Sequence, residues 1–252
     1  MLKYLPIFFG MIFQVNMWAQ NGEMATVRGG SYLPLYGADK PVEVEGFKID
    51  KHPVTNKEFL EFVKNNPRWR RSQVKRLFAD ENYLTQWNRD TELGEDMLPN
   101  SPVTSISWYA AKSYCECQGK RLPTMDEWEY VAMASENQPD GREREAYNKY
   151  ILNWYETPNT FNNEVGKTYE NYWGVWDMFG LVWEWTQDFN SVMITGDSRK
   201  GSKGDTDAFC GAAALGASDL MDYAAFIRYA FRGSLKANYA IKNLGFRCAQ
   251  DI

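Results

Sequence analysis

The spacing of apolar positions along the chain predicts four helices separated by strands and loops. Apolar residues recur three and four positions apart after Thr55, after Ser107, after Thr124 and before Gly233, which is the pattern of a helix with one buried face. Thr55 and Thr124 are each followed three residues later by a glutamate, the capping box that opens a helix. We interpret the third helix as structural, with Trp128 buried.

Alternating apolar and polar runs predict short strands, and the rest of the chain is irregular. Before the first helix, residues 27–37 are predicted as a strand, a turn and a loop, and residues 42–49 as strands. At the other end of the chain, "NLGFRCAQD" is predicted as a terminal strand. We interpret the charged residues 68–100 as an insert over one face, and residues 136–175 and 196–207 as polar loops. Long loops of this kind often carry function.

The N-terminus resembles a secretory signal peptide. Lys3 precedes an apolar run, Leu5 to Phe13, and the small residue Ala19 follows. The run is short for a transmembrane span; the alternative is a buried N-terminal strand. We predict a signal peptide over residues 1–20, one mature domain over residues 21–252, and a periplasmic or secreted protein without a membrane span.

Composition narrows the classes of partner and site. The chain of 252 residues has a net charge of −5 and therefore no basic surface for nucleic acid. His52 is the only histidine, which argues against a histidine-rich zinc or iron site. In an exported protein the four cysteines are first read as disulfides, and spacing alone does not choose among the three possible pairings.

Five stretches occur in an order that resembles a known family. They are "MATVRGGSY", "IDKHPVTNKEFLEFV", "PVTSISWYAAKSYCECQGKRLPTMDEWEYVA", "YWGVWDMFGLVWEWTQDF" and "LGFRCAQD". Together they resemble the formylglycine-generating enzyme (sulfatase-modifying factor) family over nearly all of the mature chain. The resemblance implies an α+β, modified C-type-lectin-like fold with much irregular structure. Function does not follow from the fold and is argued from the site.

The resemblance to different branches of this family implies different chemistry. Sulfatase-modifying members hold copper with two cysteines before a stretch that here resembles "RYAFR", Arg228 to Arg232, yet "DLMDYAAFI" before Arg228 contains no cysteine. A copper site is therefore doubtful. The histidine iron site of the ergothioneine branch does not match a chain with one histidine. The stretch from Phe209 to Ala249 is most similar to the pyoverdine-maturation oxidase and to accessory proteins encoded with nitrite reductases.

The stretch "DMFGLVWEWTQDF" places Glu184 between Trp183 and Trp185, where an uncompensated charge is costly. The resemblance implies a calcium ion held by Glu184 and by carbonyls such as that of Val182, although Leu181 stands where the family has a ligand asparagine. The alternative is that Glu184 accepts hydrogen bonds from backbone N–H groups or from an arginine in the core. A third interpretation makes Glu184 a general base.

The resemblance also implies a disulfide between Cys115 and Cys248. Cys117 lies two positions along the same helix and points elsewhere. For Cys210 two interpretations remain open. It is either a small buried residue or the disulfide partner of Cys117, or it is a reactive thiol or soft metal ligand at the mouth of a pocket.

Arginines near the C-terminus are the remaining candidates. Arg228, Arg232 and Arg247 form either ion pairs with carboxylates such as Asp219 and Glu184, or part of a cleft that recognises an anionic or amide group. The residues assigned to that cleft are Trp185, Cys210, Tyr223, Arg228 and Arg232.

Two classes of function follow from these observations. The first is an exported maturation factor, an oxidoreductase without the two-cysteine copper site, that acts on a siderophore-like small molecule or on a periplasmic partner such as nitrite reductase. The second is a non-catalytic lectin-like binding module of a periplasmic or surface assembly. A formylglycine-generating oxidase is a further alternative.

Overall fold

The computed structural model describes residues 22–34, 40–190 and 220–252, with side chains from Ala224 onward in the last range. The architecture is α+β, as expected, with small open sheets. The strands in these ranges are β1 (Met24–Val27), β2 (Gly30–Tyr32), β3 (Val42–Val44), β4 (Phe47–Asp50), β5 (Trp183–Glu184), β6 (Leu244–Gly245) and β7 (Ala249–Asp251).

The main sheet joins the two ends of the described chain. Its order is β1-β4-β7, with antiparallel pairing throughout. Ile49 in the central strand pairs with Ala25 on one side and Ala249 on the other. β2 and β3 form an antiparallel pair, and β5 and β6 a parallel pair that sets Glu184 opposite Gly245. The strand pairings therefore bring the tryptophan stretch next to the C-terminal residues.

Five helices are described, and the first three begin directly after the capping residues Thr55, Ser107 and Thr124, as predicted. They are α1 (Asn56–Asn65), α2 (Trp108–Cys117), α3 (Met125–Ala132), α4 (Glu145–Glu156) and α5 (Leu220–Ser234). Both capping boxes, at Thr55 and Thr124, are formed, and the Ser107 side chain accepts from the backbone N–H of Ala110. In the described ranges, no helix combines the length and the apolar surface that crossing a bilayer requires.

The prediction that residues 136–175 are loop is wrong for α4. Tyr147, Ile151 and Trp154 are buried on one face of this helix. Their spacing of four and three is the helical signal, but the many polar residues between them conceal it. The predicted terminal strand is also wrong in part, because residues 246–248 separate β6 from β7.

The insert over residues 68–100 is irregular, as expected, but it also completes the core. Tyr83, Leu84 and Trp87 are buried, and the Tyr83 hydroxyl donates to the Trp69 carbonyl at 3.0 Å. These buried side chains anchor a segment whose remaining residues are largely polar or charged and exposed. The insert is therefore held by tertiary packing rather than by regular secondary structure.

Two apolar clusters form the core. The first packs α1 and α2 around Phe59, Tyr114 and Phe246, with the Tyr114 and Phe246 rings 5.3 Å apart. The second packs the main sheet against α3 and α4. Trp183 contacts both clusters, so the tryptophan stretch lies at their junction.

Candidate functional site

Two arginines on α5 meet one buried carboxylate on α3. Arg228 and Arg232 are about one helical turn apart and therefore share a face. Arg228 donates to Glu129 at 2.7 Å from Nη2 and 3.0 Å from Nε, and Arg232 Nη1 donates to it at 2.7 Å. An ion-pair network is thus present, but these two arginines pair with Glu129 and not with Glu184; Asp219 lies outside the described residues.

This arginine network of Glu129, Arg228 and Arg232 has a net charge of +1, because two guanidinium groups surround one carboxylate. Burial alone would raise the pKa of Glu129, but the two guanidinium groups outweigh it and hold the pKa at about 2. The Arg232 guanidinium lies 4.6 Å from the Trp128 ring centroid, and that of Arg228 lies 5.5 Å from the Phe179 centroid. Cation–π contacts with these two rings therefore help to stabilise the excess positive charge.

A small cavity adjoins the arginine network. Glu129, Arg228 and Tyr229 line it, and its volume is about 20 Å³, which is enough for a single water molecule. Arg228 and Arg232 are only 4% and 2% exposed. In the described part of the structure, the two guanidinium groups are therefore not accessible to a ligand from solvent. They influence their surroundings through their charge and their packing.

Partly exposed aromatic side chains lie beside this network. The Trp183 ring is stacked on Tyr155, with centroids 5.3 Å apart and an angle of 10° between the planes, and its centroid is 4.7 Å from that of Phe231. All three are partly accessible to solvent. We call Tyr155, Trp183 and Phe231 the aromatic surface.

Tyr155 connects the aromatic surface to the arginine network. Its hydroxyl accepts from Arg228 Nη1 at 3.2 Å and donates to the carbonyl of Ala224 at 3.3 Å. Burial is the largest influence on this hydroxyl and raises the pKa of Tyr155, so it stays protonated at neutral pH. A group placed against the rings is therefore close to the buried positive charge.

Of the other residues assigned to the predicted cleft, the structure describes only the side chain of Trp185. Trp185 is fully buried, and its Nε1 donates to the carbonyl of Ile106 at 3.0 Å, so it supports the core while Trp183 forms part of the surface. Tyr223 lies on α5, but its side chain is outside the described part of the chain. Cys210 also lies outside it.

Glu184 is compensated by an arginine from the C-terminal segment. Arg247 donates to it from Nε at 2.9 Å and from Nη2 at 2.9 Å, and Trp128 Nε1 donates at 2.8 Å. The remaining Arg247 donors reach the backbone carbonyls of Asp50, Lys51 and Trp176. Glu184 is therefore held by hydrogen bonds from an arginine and a tryptophan in the core.

The residues around Glu184 do not fit a calcium ion. Both carboxylate oxygens accept hydrogen bonds, and a guanidinium occupies the position that a cation would take. Val182 is buried beside it and has only its backbone carbonyl to offer. Calcium needs six to eight oxygen ligands, and the described residues contain no cluster of three His, Cys, Asp or Glu suited to a metal. We therefore assign Glu184 and Val182 to the core.

The cysteines divide into one disulfide and the remaining thiols. Cys115 and Cys248 are joined, with an S–S distance of 2.04 Å and a Cα–Cα distance of 5.6 Å, as the resemblance implies. Cys117 is exposed at the end of α2 and forms no disulfide with a described cysteine. Partial desolvation of the sulfur is nevertheless the largest influence on the Cys117 thiol and raises its pKa, so the thiol is not activated.

Sequence reasoning missed Glu129, Tyr155 and Trp183. Glu129 follows Trp128 in a helix that was assigned a purely structural role. Nothing in the neighbouring sequence indicates that this glutamate is buried. Tyr155 follows Trp154 in α4, which was predicted as loop. Trp183 was weighed only as a neighbour of Glu184. Of the three, only Tyr155 could have been found from the sequence, through the helical spacing of Tyr147, Ile151 and Trp154.

Comparison with known proteins settles the family. Residues 12–252 match the family described as a sulfatase-modifying factor enzyme 1-like domain. The chain belongs to this family. The resemblance of the five sequence stretches is thereby confirmed, and with it the α+β fold of the formylglycine-generating enzymes.

Individual relatives show how far the family likeness extends. The formylglycine-generating enzyme of Streptomyces coelicolor is 30% identical, covering 83% of this chain and 80% of that protein. A serine/threonine-protein kinase pkn1 of Chlamydia pneumoniae is 30% identical over 66% of this chain, which spans only 28% of the kinase. The structure of PvdO from Pseudomonas aeruginosa has a TM-score of 0.52 at 19% identity, covering 92% of this chain and 95% of that one. The last similarity shows the fold alone.

Proposed function

We propose that the protein is an exported maturation factor of the sulfatase-modifying factor enzyme 1-like family. In this proposal the aromatic surface receives a planar or anionic group of a siderophore-like compound or of a partner metalloenzyme such as nitrite reductase. The observation that carries the proposal is that the accessible, stacked rings of Tyr155 and Trp183 lie beside the buried Arg228 guanidinium. Aromatic faces beside a guanidinium suit such groups.

Export is supported by the disulfide and by the N-terminal sequence. The Cys115–Cys248 bridge joins residues 133 positions apart, and disulfides persist in oxidising compartments. The apolar N-terminal run with Lys3 before it is the second support. Together these observations favour a periplasmic or secreted protein.

The cysteine inventory distinguishes this proposal from formylglycine generation. The disulfide engages two of the four cysteines, which leaves Cys117 and Cys210. Between Cys210 and Cys248 the sequence contains no cysteine. A two-thiolate copper site next to Arg228 therefore does not fit the residues of this chain, and no step of the proposed function uses copper.

A second candidate function is a non-catalytic binding module. It is favoured by the burial of Arg228 and Arg232, which leaves the aromatic surface as the accessible part of the site. Aromatic side chains on a rigid scaffold can hold a ligand or partner without chemistry. The maturation factor and the binding module therefore share one site and differ in whether the bound group is changed.

The test is complementation of a gene deletion in the native host. Siderophore production and the activity and metal content of periplasmic nitrite reductase would be compared for wild type, Trp183→Ala and the control Tyr172→Ala, an exposed aromatic outside the aromatic surface. We expect one of these outputs to fail in the deletion and with Trp183→Ala, and to recover with the control. Normal outputs in the deletion strain would refute a maturation role.

Purified protein then separates the two candidates. The compound or partner that accumulates in the deletion strain would be incubated with the mature protein and analysed by mass spectrometry. A change of mass that depends on the protein supports the maturation enzyme. Saturable binding without a change of mass supports the binding module.

A further inference from the structure

A cleft of about 340 Å³ lies outside the aromatic surface and the arginine network. It is formed where the end of β4 and the start of α1 meet α2. Gly22 and Glu23, the first residues that the structure describes, also line it. Only Asn21 separates Gly22 from the predicted signal peptide over residues 1–20, so the start of the mature chain is expected at this cleft.

Main-chain pairing fixes the point from which the first residues of the mature chain extend. Met24, the first residue of β1, is paired with Asp50. One position earlier, the Glu23 carbonyl accepts from the backbone N–H of Lys51 at 2.9 Å, and the side chains of these two residues form an ion pair at 2.8 Å. Gly22 is partly buried and is therefore one residue away from an anchored position.

Most charged groups along the cleft already have partners. Lys120 Nζ donates to the Asp50 carboxylate at 2.6 Å. His52 Nδ1 lies 3.5 Å from the carboxylate of Asp177, whose side chain is fully buried. The acidic and basic side chains of these pairs largely neutralise one another, so they do not determine which charge the cleft attracts.

Glu58 keeps one carboxylate oxygen open beside the start of the chain. The backbone N–H and the hydroxyl of Thr55 both donate to Oε2 of Glu58, and Oε1 has no partner among the described residues. The neighbouring Lys57 is exposed and forms no ion pair with a described residue, because adjacent residues on a helix do not face each other. A Cβ built on Gly22 would lie 3.7 Å from Oε1 of Glu58.

The Tyr114 hydroxyl is a second group of the cleft without a partner. The Tyr114 side chain is 5% exposed, and its hydroxyl forms no hydrogen bond with a described residue. Burial is the largest influence that raises the pKa of Tyr114, and the negative charges of Glu58 and Asp50 add to it. The hydroxyl is therefore protonated and close to the open carboxylate. Buried tyrosine hydroxyls usually have a partner, so this one indicates a ligand.

We propose that the cleft holds the mature N-terminus of the chain, with the α-ammonium group of Asn21 bound to Oε1 of Glu58. The Cα atoms of Asn21 and Gly22 are about 3.8 Å apart, so the terminal nitrogen is within reach of that oxygen and of the Tyr114 hydroxyl oxygen. An ammonium group carries three donors, and its hydrogen bond to a carboxylate is charge-assisted. The proposal rests on the export proposed above.

Removal of the signal peptide creates this contact. In the precursor the nitrogen of Asn21 belongs to a peptide bond and carries no charge, so Glu58 gains its counter-charge only after cleavage. The anchored Glu23 already holds the terminus near the cleft, so little chain entropy remains to be lost when the ion pair forms. Processing therefore adds an interaction that the precursor lacks.

Titration of the α-amino group provides the test. Mature protein would be recovered from the periplasm of an expression host, and mass spectrometry would identify its first residue. Acetylation of that residue by trace acetic anhydride would then be followed over a range of pH. Because only the unprotonated amine reacts, the pH dependence of the rate gives the pKa of the α-amino group. An opposite charge at ion-pair distance favours the protonated form, so we expect this form to be favoured about tenfold more than in Glu58→Gln.

Three variants test the partners of the terminus. Glu58→Gln removes the charge but keeps the helix start, because the capping box accepts glutamine, and its α-amino pKa should return to the ordinary value. Glu61→Gln is the matched control, since Glu61 lies on the same helix outside the cleft and pairs with Lys64 at 2.7 Å. It should titrate as wild type does. Tyr114→Phe removes only the hydroxyl and should lower the α-amino pKa by less than Glu58→Gln.

A chain extended by Gly-Ser before Asn21 gives an independent readout, because the extension moves the ammonium group away from Glu58. Since the proposed folded pKa is the higher one, the interaction stabilises the mature chain fully below the ordinary α-amino value of about 8 and is lost as the pH rises through the folded value. The mature chain should therefore unfold at a higher urea concentration than the extended chain at pH 7, and at nearly the same concentration at pH 10. A difference that is equal at both pH values would exclude the ion pair.

The first residue of the recovered protein separates this proposal from the export on which it rests. Protein that keeps residues 1–20 would overturn export and this proposal together. Correct cleavage with the same α-amino pKa in wild type and Glu58→Gln would overturn the N-terminal contact alone. A mature chain that begins with a cyclised Gln20 has no ammonium group and would also overturn that contact.

Discussion

Glu184 and Arg247 form an ion pair from which solvent is excluded on both sides. The two side chains are 0% exposed, and Arg247 Nε lies 2.9 Å from Oε2 of Glu184. The parallel pairing of β5 and β6 brings the two residues together, and Trp128 supplies a further donor. A buried pair with this many hydrogen bonds fixes the position of the tryptophan stretch at the junction of the two core clusters.

Removing one partner of this pair should destabilise the fold strongly. Glu184→Ala leaves the Arg247 guanidinium buried without its counter-charge, so the free energy of unfolding should fall by about 3–5 kcal/mol. The exposed Glu45→Ala is the matched control and should change stability by less than about 0.5 kcal/mol. Urea unfolding followed by tryptophan fluorescence measures both. Equal midpoints for the two variants would contradict the pairing.

Acid should selectively weaken the arginine network. The pKa of Glu129 is about 2 in the fold and 4.5 ordinarily. Because the folded value is the lower one, the network stabilises the protein fully above about pH 4.5, and this stabilisation is lost as the pH falls towards 2. Glu129→Gln should therefore be much less stable than wild type at pH 7 and closer to it near pH 3. A difference in unfolding free energy that stays constant with pH would exclude an ionised Glu129.

Reduction of the disulfide should have a large effect on stability. The Cys115–Cys248 bridge closes a loop of 133 residues, for which the chain-entropy model gives about 5 kcal/mol. The double variant Cys115→Ser and Cys248→Ser should lose most of this free energy, whereas Cys117→Ser should lose little because Cys117 is exposed. Non-reducing peptide mapping of exported protein identifies the bridge. Free thiols at both Cys115 and Cys248 in protein purified under oxidising conditions would show that the disulfide does not contribute to stability.

The sequence predicted elements whose signals are local. Thr55 and Thr124 mark helix starts correctly because a capping box involves only residues three positions apart. The family resemblance supplied the pairing of Cys115 with Cys248, which spacing alone left open. The resemblance also suggested a calcium ion at Glu184. In the structure the positive charge there belongs to Arg247, which lies 63 positions away in the sequence.

The site was harder to predict because its contacts are between distant parts of the chain. Glu129 meets Arg228 across 99 positions, and Tyr155 meets it across 73. Nothing local in the sequence distinguishes Glu129 from an exposed helical glutamate. Arg228 and Arg232 were identified as a pair by their spacing, but the partner that determines their charge environment could be seen only in the fold.

Variants of Arg228 and Tyr155 should separate the structural part of the candidate site from its binding part. Arg228 makes three hydrogen bonds to Glu129, so Arg228→Ala should lower the unfolding free energy by about 3–5 kcal/mol and impair function through loss of folded protein. Tyr155→Phe removes the hydroxyl contacts with Arg228 and with the Ala224 carbonyl and keeps the stacked ring, so it should lower the unfolding free energy by about 1–2 kcal/mol. Function should then be nearly retained.

Trp183→Ala completes the comparison, because it removes the accessible ring while leaving the arginine network intact. We expect Trp183→Ala to lose more function than its loss of stability explains. Tyr155→Phe should retain function. Thermal unfolding and complementation would be measured on the same preparations. If Arg228→Ala melts at the wild-type temperature and still fails in complementation, the guanidinium acts directly on the ligand, and the site extends from the aromatic surface into the arginine network.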